Sequence, residues 1–155
     1  MNAVPSFKII DKEHERVGKW MENHFAGRWR EGDTCIGLEK HGKLVAGVRY
    51  DLFNHASICM HVASEGRNWL NREFLWFAFY YPFEQLKVNV IIGLVAEDNF
   101  RARKFDENLG FKLLTSIPNA DPNGSTLIYT MYKHQCKWLR IKHGITQQAI
   151  SPVYA

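Results

Sequence analysis

Cysteine is scarce in this chain, and its three copies, Cys35, Cys59 and Cys136, stand far apart with no C-x-x-C pair. An odd, scattered set excludes a disulfide framework and reads as reduced core thiols of a cytoplasmic protein. The same scarcity argues against a metal. The groupings His55, Cys59, His61 and His134, Cys136 each fall short of a four-ligand zinc set. Apolar runs of spanning length are missing too. The longest, Phe74–Phe83, is interrupted by Pro82, well short of the roughly 20 residues a membrane helix needs. The amino-terminal stretch lacks the apolar core of a signal peptide, so the expectation is a cytoplasmic protein with no membrane partner. Blocks of like charge are absent. The net charge of +4 therefore suits an anionic partner, such as a phosphorylated cofactor, without marking a nucleic-acid stripe. Repeats, low-complexity tracts and linkers are also lacking. One domain over residues 1–141 is expected, with a poorly ordered tail from Lys142 to Ala155.

What is present is apolar patterning. Hydrophobic residues make up 46% of 155 residues, enough for a real core at this size. Ser6–Asp11 reads as a short strand. Lys12–Phe25 carries Val17, Trp20, Met21 and Phe25 at helical spacing. Gly27–Asp33 is a loop. Three strand-like runs follow, Thr34–Lys40, Lys43–Phe53 and His55–Ala63, punctuated by His41-Gly42 and Phe53-Asn54 as tight turns. From Asn68 to Leu86 the period changes to that of one long helix, with Asn68 or Ser64 as cap and Pro82 ending or kinking it. Val88–Val95 (VNVIIGLV) reads as a strand buried on both faces, which usually means parallel pairing in a covered sheet. Asp98–Asn108 is a helix closed by Gly110 in the usual C′ position. Phe111–Ile117 and Leu127–Tyr132 are strands joined by a turn-rich connection, and Lys133–Ile141 is a last helical piece.

The order β-α-β-β-β-α-β-α-β-β predicts an α/β (α+β) protein, a mixed sheet of six or seven strands with helices on both faces. Ligands of such sheets bind where neighbouring strand ends diverge beside a crossover helix. Here that crevice falls between His55–Ala63 and Val88–Val95. The amides at the start of the crossover helix make an anion site there, and Arg67 and Arg72 add charge suited to a pyrophosphate.

The run from Glu97 to Phe111, with Asn99, Ala102 and Leu109-Gly110-Phe111, resembles the Asn-x-x-Ala…Leu-Gly-Phe segment of GNAT acetyltransferases. Met60-His61-Val62-Ala63, Trp69-Leu70, Tyr81–Leu86 and Cys136–Leu139 extend the likeness over most of Thr34–Leu139. The wider frame is similar to short GNAT-like proteins of tailed phages and prophages. The resemblance implies a splayed sheet that binds acetyl-coenzyme A and passes the acetyl group to an amine by direct attack. It implies that the Val62 N–H bonds the thioester carbonyl. It also implies that Asn99 ties its loop to the pantetheine arm, with Arg103 on the same helix near the cofactor. The phosphate loop would be Arg67-Asn68-Trp69-Leu70-Asn71-Arg72, where Leu70 and Arg72 replace the family's glycines. Asp106 stands where many members carry the tyrosine that protonates the departing thiolate.

For a base, the candidates are His61 and Glu65, with water as intermediary. Imidazole titrates in the right range, although strand alternation points His61 away from Val62, and a core histidine is the alternative reading. The acceptor would lie over the front strands, near Trp29, Tyr50, Tyr129 and Tyr132. The stripe Trp69, Trp76, Phe77, Tyr80, Tyr81 reads as helix-to-sheet packing or, alternatively, as a surface for a host protein. Two function classes stay open: an N-acetyltransferase, monomeric or homodimeric, and a GNAT-fold protein without useful turnover that binds a host macromolecule. A phage origin would place either in the host cytoplasm.

Overall fold

A computed structural model describes residues 6–24, 27–67 and 71–140. Seven strands form one sheet in the order β1-β2-β3-β4-β5-β7-β6. They are β1 (Phe7–Ile10), β2 (Thr34–Lys40), β3 (Lys43–Asp51), β4 (Ser57–Ser64), β5 (Val90–Ala96), β6 (Lys112–Asp121) and β7 (Gly124–Tyr132). Three helices accompany them, α1 (His14–Glu22), α2 (Arg72–Tyr80) and α3 (Phe100–Leu109). All strand pairs are antiparallel except β4 with β5. This is the mixed sheet expected from the element order.

The two faces are covered unequally. On one face α1 lies on β2 and β3 through Val17 and Met21. The register partners Gly37 and Gly47 make that approach possible. A β carbon on Gly37 would meet Val17 at 2.8 Å, and one on Gly47 would meet Met21 at 2.9 Å. The opposite face carries α2 and α3. In α2 every residue from Phe74 to Phe79 is buried, so the helix is apolar all round and is covered on both sides. The turn at Trp138–Arg140 packs over it, and the Trp138 indole donates to the Leu109 carbonyl at the end of α3 (2.8 Å). Trp76, Phe77 and Tyr81 are interior residues, with Trp76 stacked on Tyr80. Helix-to-sheet packing is thus what this stripe does; Trp69 lies outside the described residues.

Several expected boundaries move. The helix expected over residues 68–86 begins at Arg72. Asn71 is its cap, accepting from the Phe74 N–H (3.0 Å), and Ser64 does not take that part; Asn68 lies outside the described residues. Proline lacks the amide that continues a helix; from Tyr81 to Gln85 the chain accordingly forms a π-turn, closed by Leu86 N–H to the Tyr81 carbonyl (2.9 Å). The β3–β4 connection occupies residues 52–56, longer than a tight turn at Phe53-Asn54. The Asn54 side chain organises it by accepting from the Ala56 and Ser57 amides. Strands β6 and β7 run through most of the expected loop and turn at residues 122–123, because Asp121 accepts from the Asn123 amide (3.0 Å). The last helical piece is two 3-10 turns, Lys133–Gln135 and Trp138–Arg140. The expected tail lies outside the described residues.

Candidate active site at the split in the sheet

Strands β4 and β5 pair in parallel over three registered positions only, Ser57 with Val90, Ile58 with Ile91 and Cys59 with Ile92. Beyond them each strand keeps its other neighbour. β4 stays with β3 as far as Ser64 opposite Ala46, and β5 stays with β7 as far as Ala96 opposite Thr126. The sheet therefore splits between Met60 and Gly93. A cleft of about 440 Å³ fills the split, lined by Met60–Ser64 of β4, Leu94–Ala96 of β5, His24, Gly27, and Asn99, Arg101, Ala102, Phe105 and Asp106.

Backbone direction follows from the ladder. The Glu65 N–H donates to the Val45 carbonyl of β3 (2.8 Å). Successive amides along a strand point to opposite edges, so the Val62 N–H points away from β3 and into the split. Side chains alternate as well. Met60 and Val62 belong to the core under α2, and Ala63 to the core under α1. His61 shares the α1 face with Ala63. Because the sheet is open here, both faces reach one cleft. Alternation puts the His61 and Val62 side chains on opposite faces of β4, and the cleft is open to both.

The His61 Nε2 lies 2.9 Å from Asp51 Oδ1. Asp51 Oδ2 accepts from Arg49 (2.8 Å) and Arg30 (3.2 Å), and Arg49 also donates to Asp33 (3.2 Å). Arg49, Asp51 and Asp33 are buried. Burial alone would raise the Asp51 carboxyl, but the His61 hydrogen bond and charge, with Arg49, hold it below the usual carboxylate range. The backbone of Gly27 (φ 81°) closes over this network, since a β carbon there would meet the Arg49 guanidinium at 2.6 Å. Arg49 and Asp51 did not stand out in the sequence reading. The signal for them is two charges at i and i+2 within the otherwise apolar LVAGVRYDLF, with Arg49 directly opposite His61. Cys59 shares this face but is inert, its thiol pushed up to about 11 by burial.

Across the split stands Asp106 on α3. Burial, with the neighbouring charge of Glu107, pushes its carboxyl up to about 7. Asn99 caps α3, its side chain accepting from the Ala102 N–H (3.1 Å), and lines the cleft. Other expected residues lie elsewhere. Arg103 donates to the Glu97 carbonyl (2.9 Å). Arg67 is exposed in the loop after β4, and Asn71 and Arg72 begin α2. Asn68, Trp69 and Leu70 lie outside the described residues. Glu65 pairs with His24 (3.0 Å).

Of the residues expected near an acceptor, Tyr50 and Tyr129 are fully buried. Their hydroxyls donate to the Ala78 carbonyl and to Glu107, so both are core residues and face no substrate. Trp29 packs on Gly18 of α1. Tyr132 is exposed beside Val90, at the opposite end of β5 from the split.

No protein-family model matches the chain, and no curated protein matches it. Solved structures do. A point mutant of the spermidine N-acetyltransferase of Vibrio cholerae aligns at 15% identity over 86% of this chain and 96% of its own, with a TM-score of 0.67. Another mutant form, of the spermidine/spermine N-acetyltransferase of that organism, gives 15% identity, 87% and 98% coverage and a TM-score of 0.67. Its manganese complex gives 15% identity, 88% and 95% coverage and a TM-score of 0.63. At such identities the likeness is one of architecture: the split mixed sheet and its helices are the fold of GNAT acetyltransferases.

Proposed function

We propose that the protein is an N-acetyltransferase that moves an acetyl group from acetyl-coenzyme A to an amine at the split between β4 and β5. The observation that carries this reading is the direction of the Val62 N–H into a cleft that also holds His61 and Asp106 on opposite sides. The thioester end of the donor fits that opening. Asn99 lies at its α3 wall to hold the pantetheine arm, while the phosphates fall to the loop of Arg67 and the start of α2, where the Arg72 and Glu73 amides lack intrahelical acceptors and the Phe74 amide is taken by the Asn71 cap.

Acetyl-coenzyme A supplies an activated carbonyl and a thiolate leaving group. His61 takes a proton from the incoming ammonium, freeing the nitrogen lone pair. The nitrogen–carbon bond forms as the carbon–sulfur bond breaks, and the Val62 N–H donates to the carbonyl oxygen where negative charge develops. Asp106, whose carboxyl burial pushes up to about 7, gives its proton to sulfur. The second nitrogen proton leaves to solvent, and coenzyme A departs as the thiol. Holding the reactants in one gap contributes the rest through orientation. The narrower likeness to phage proteins, with a host cytoplasm as setting, rests on motif order alone.

The test has two arms. Acetyl-coenzyme A at about a hundred times its dissociation constant should stabilise the fold by about 2.7 kcal/mol, read as a rise in Tm. Thiol release from acetyl-coenzyme A should then depend on an added amine. A fold unmoved by millimolar acetyl-coenzyme A would turn the reading to the alternative, a non-catalytic protein that binds a host macromolecule.

A further inference from the structure

We infer that Asp51 is a positioning residue that fixes the tautomer of His61, leaving Nδ1 as the basic nitrogen for the cleft. The role assigned to His61 rests on the acyltransferase reading; the geometry that fixes its ring does not. An ionised carboxylate only accepts hydrogen bonds. With Asp51 Oδ1 at 2.9 Å from His61 Nε2, the proton of the neutral ring must sit on Nε2. Nδ1 then carries the lone pair, and no described residue is bonded to it. The ring itself lines the cleft.

The His61 hydrogen bond and charge, with Arg49, keep Asp51 ionised, and an arginine pair holds its other oxygen. Oδ2 accepts from Arg49 at 2.8 Å and from Arg30 at 3.2 Å. Both oxygens are thereby committed, and the carboxylate cannot rotate without breaking an arginine contact. The other titratable or charged groups near the ring are Asp33, bonded to Arg49, Cys59 on the same face of β4, and His24, Arg101 and Asp106, which line the cleft with it. The partner of Nε2 among the described residues is Asp51.

The arrangement makes one substitution diagnostic. In Asp51→Asn the two arginines remain donors, so they require the amide oxygen. The amide NH₂ is then turned toward His61, and Nε2 must become the acceptor. The proton moves to Nδ1, and the lone pair that served the cleft is lost, as happens when a buried aspartate behind a catalytic histidine is converted to its amide in other enzymes.

The experiment reads the ring nitrogens directly. ¹⁵N spectra of the intact protein above pH 8, with the His61 signals assigned by their loss in His61→Gln, should show the Nε2–H tautomer. Asp51→Asn should shift the population to Nδ1–H. Thiol release from acetyl-coenzyme A with amine should fall at least a hundredfold in kcat, with the Tm rise on adding acetyl-coenzyme A retained. Asp51→Glu, which keeps an acceptor, should restore the Nε2–H signature in part. A wild-type ring protonated on Nδ1 overturns the inference without any variant being folded, and so does an Asp51→Asn protein whose turnover is undiminished. An Nε2–H ring in a wild-type protein that never consumes acetyl-coenzyme A leaves the pair standing and removes the acyltransferase reading instead.

Discussion

Asp106 occupies space that exists because Gly93 has no side chain. A β carbon on Gly93 would stand 3.2 Å from Asp106 Oδ2, tighter than ordinary van der Waals contact. Gly93 is the first β5 residue past its last pairing with β4, so the acid is seated at the point where the sheet divides. Gly93→Val should therefore push the carboxyl out of its seat. The expected result is loss of the alkaline limb of the rate profile that Asp106 creates, with turnover lowered about tenfold or more. Kinetics between pH 6 and 9 would show whether the limb survives.

The seat also costs stability. The Asp106 carboxyl is raised from 3.8 to about 7, first by burial and then by Glu107. A raised acid is bound to its proton more firmly in the folded chain than in the unfolded one. Between those values stability falls as pH rises, and above about 7 the whole cost is present. Asp106→Asn removes it. Its gain in Tm should grow from pH 4.5 to 7 and level off above, reaching about 5 °C for a penalty on the order of 2 kcal/mol once solvent screening is allowed for. A gain that shrinks with rising pH would contradict the sign.

His61→Gln separates chemistry from binding. Glutamine keeps a donor for Asp51 but has no basic nitrogen. Turnover should drop by about a hundredfold or more while acetyl-coenzyme A still raises the Tm. Equal loss of both would mean that His61 supports the fold rather than the reaction.

Much of this architecture could be read before any coordinates. The βαβ unit is legible because the apolar-rich VNVIIGLV follows a helical period, although β5 is not buried on both faces as expected: its burial alternates and Leu94 is exposed, because the sheet is split beside it. Gly110 closes α3 as read, because a glycine cap is local chemistry, whereas the cap at the helix start is Asn99, one residue inside the expected helix Asp98–Asn108. The site was less legible. His61 and Val62 seemed opposed because alternation assumes an intact sheet, and the split breaks that assumption. Arg49 and Asp51 passed unnoticed because their meaning lies in cross-strand register with His61, which no local pattern reports. Tyr50 and Tyr129 were misread as substrate-facing, since a tyrosine whose hydroxyl meets a helix carbonyl or a glutamate looks in sequence like one that faces a ligand.

Gly18 in α1 gives a stability test away from the chemistry. Glycine within a helix is unfavourable by about 1 kcal/mol against alanine, so Gly18→Ala would stabilise an isolated helix. Here its β carbon would fall 1.9 Å from the Trp29 indole. The ring would have to leave its seat, and overpacking of this kind typically costs about 1–3 kcal/mol. The expected net outcome is destabilisation, read as a lower urea midpoint. A stabilised Gly18→Ala protein would show that Trp29 moves aside freely.

The acceptor is the last matter on which the cleft speaks. The solved structures of like fold include enzymes that act on spermidine, a polycation. Recognition of a polycation needs carboxylates that stay charged along its path. Among the described residues lining this cleft the only carboxyl is Asp106, which burial pushes up to about 7, while Arg101, His24 and His61 line the same space. Glu65, at the rim, is already paired with His24. A second ammonium group would thus meet the Arg101 guanidinium with little compensating charge, and that mismatch weakens binding by like-charge repulsion. An amine bearing one ammonium and a neutral or anionic remainder suits the lining better. Thiol-release assays at neutral pH and low salt should give spermidine a kcat/KM at least about tenfold below that of such an amine. Arg101→Glu should narrow the gap by supplying the missing negative charge. Saturable turnover of spermidine at micromolar concentration in the unaltered protein would show that the carboxylates recognising it come from beyond this lining.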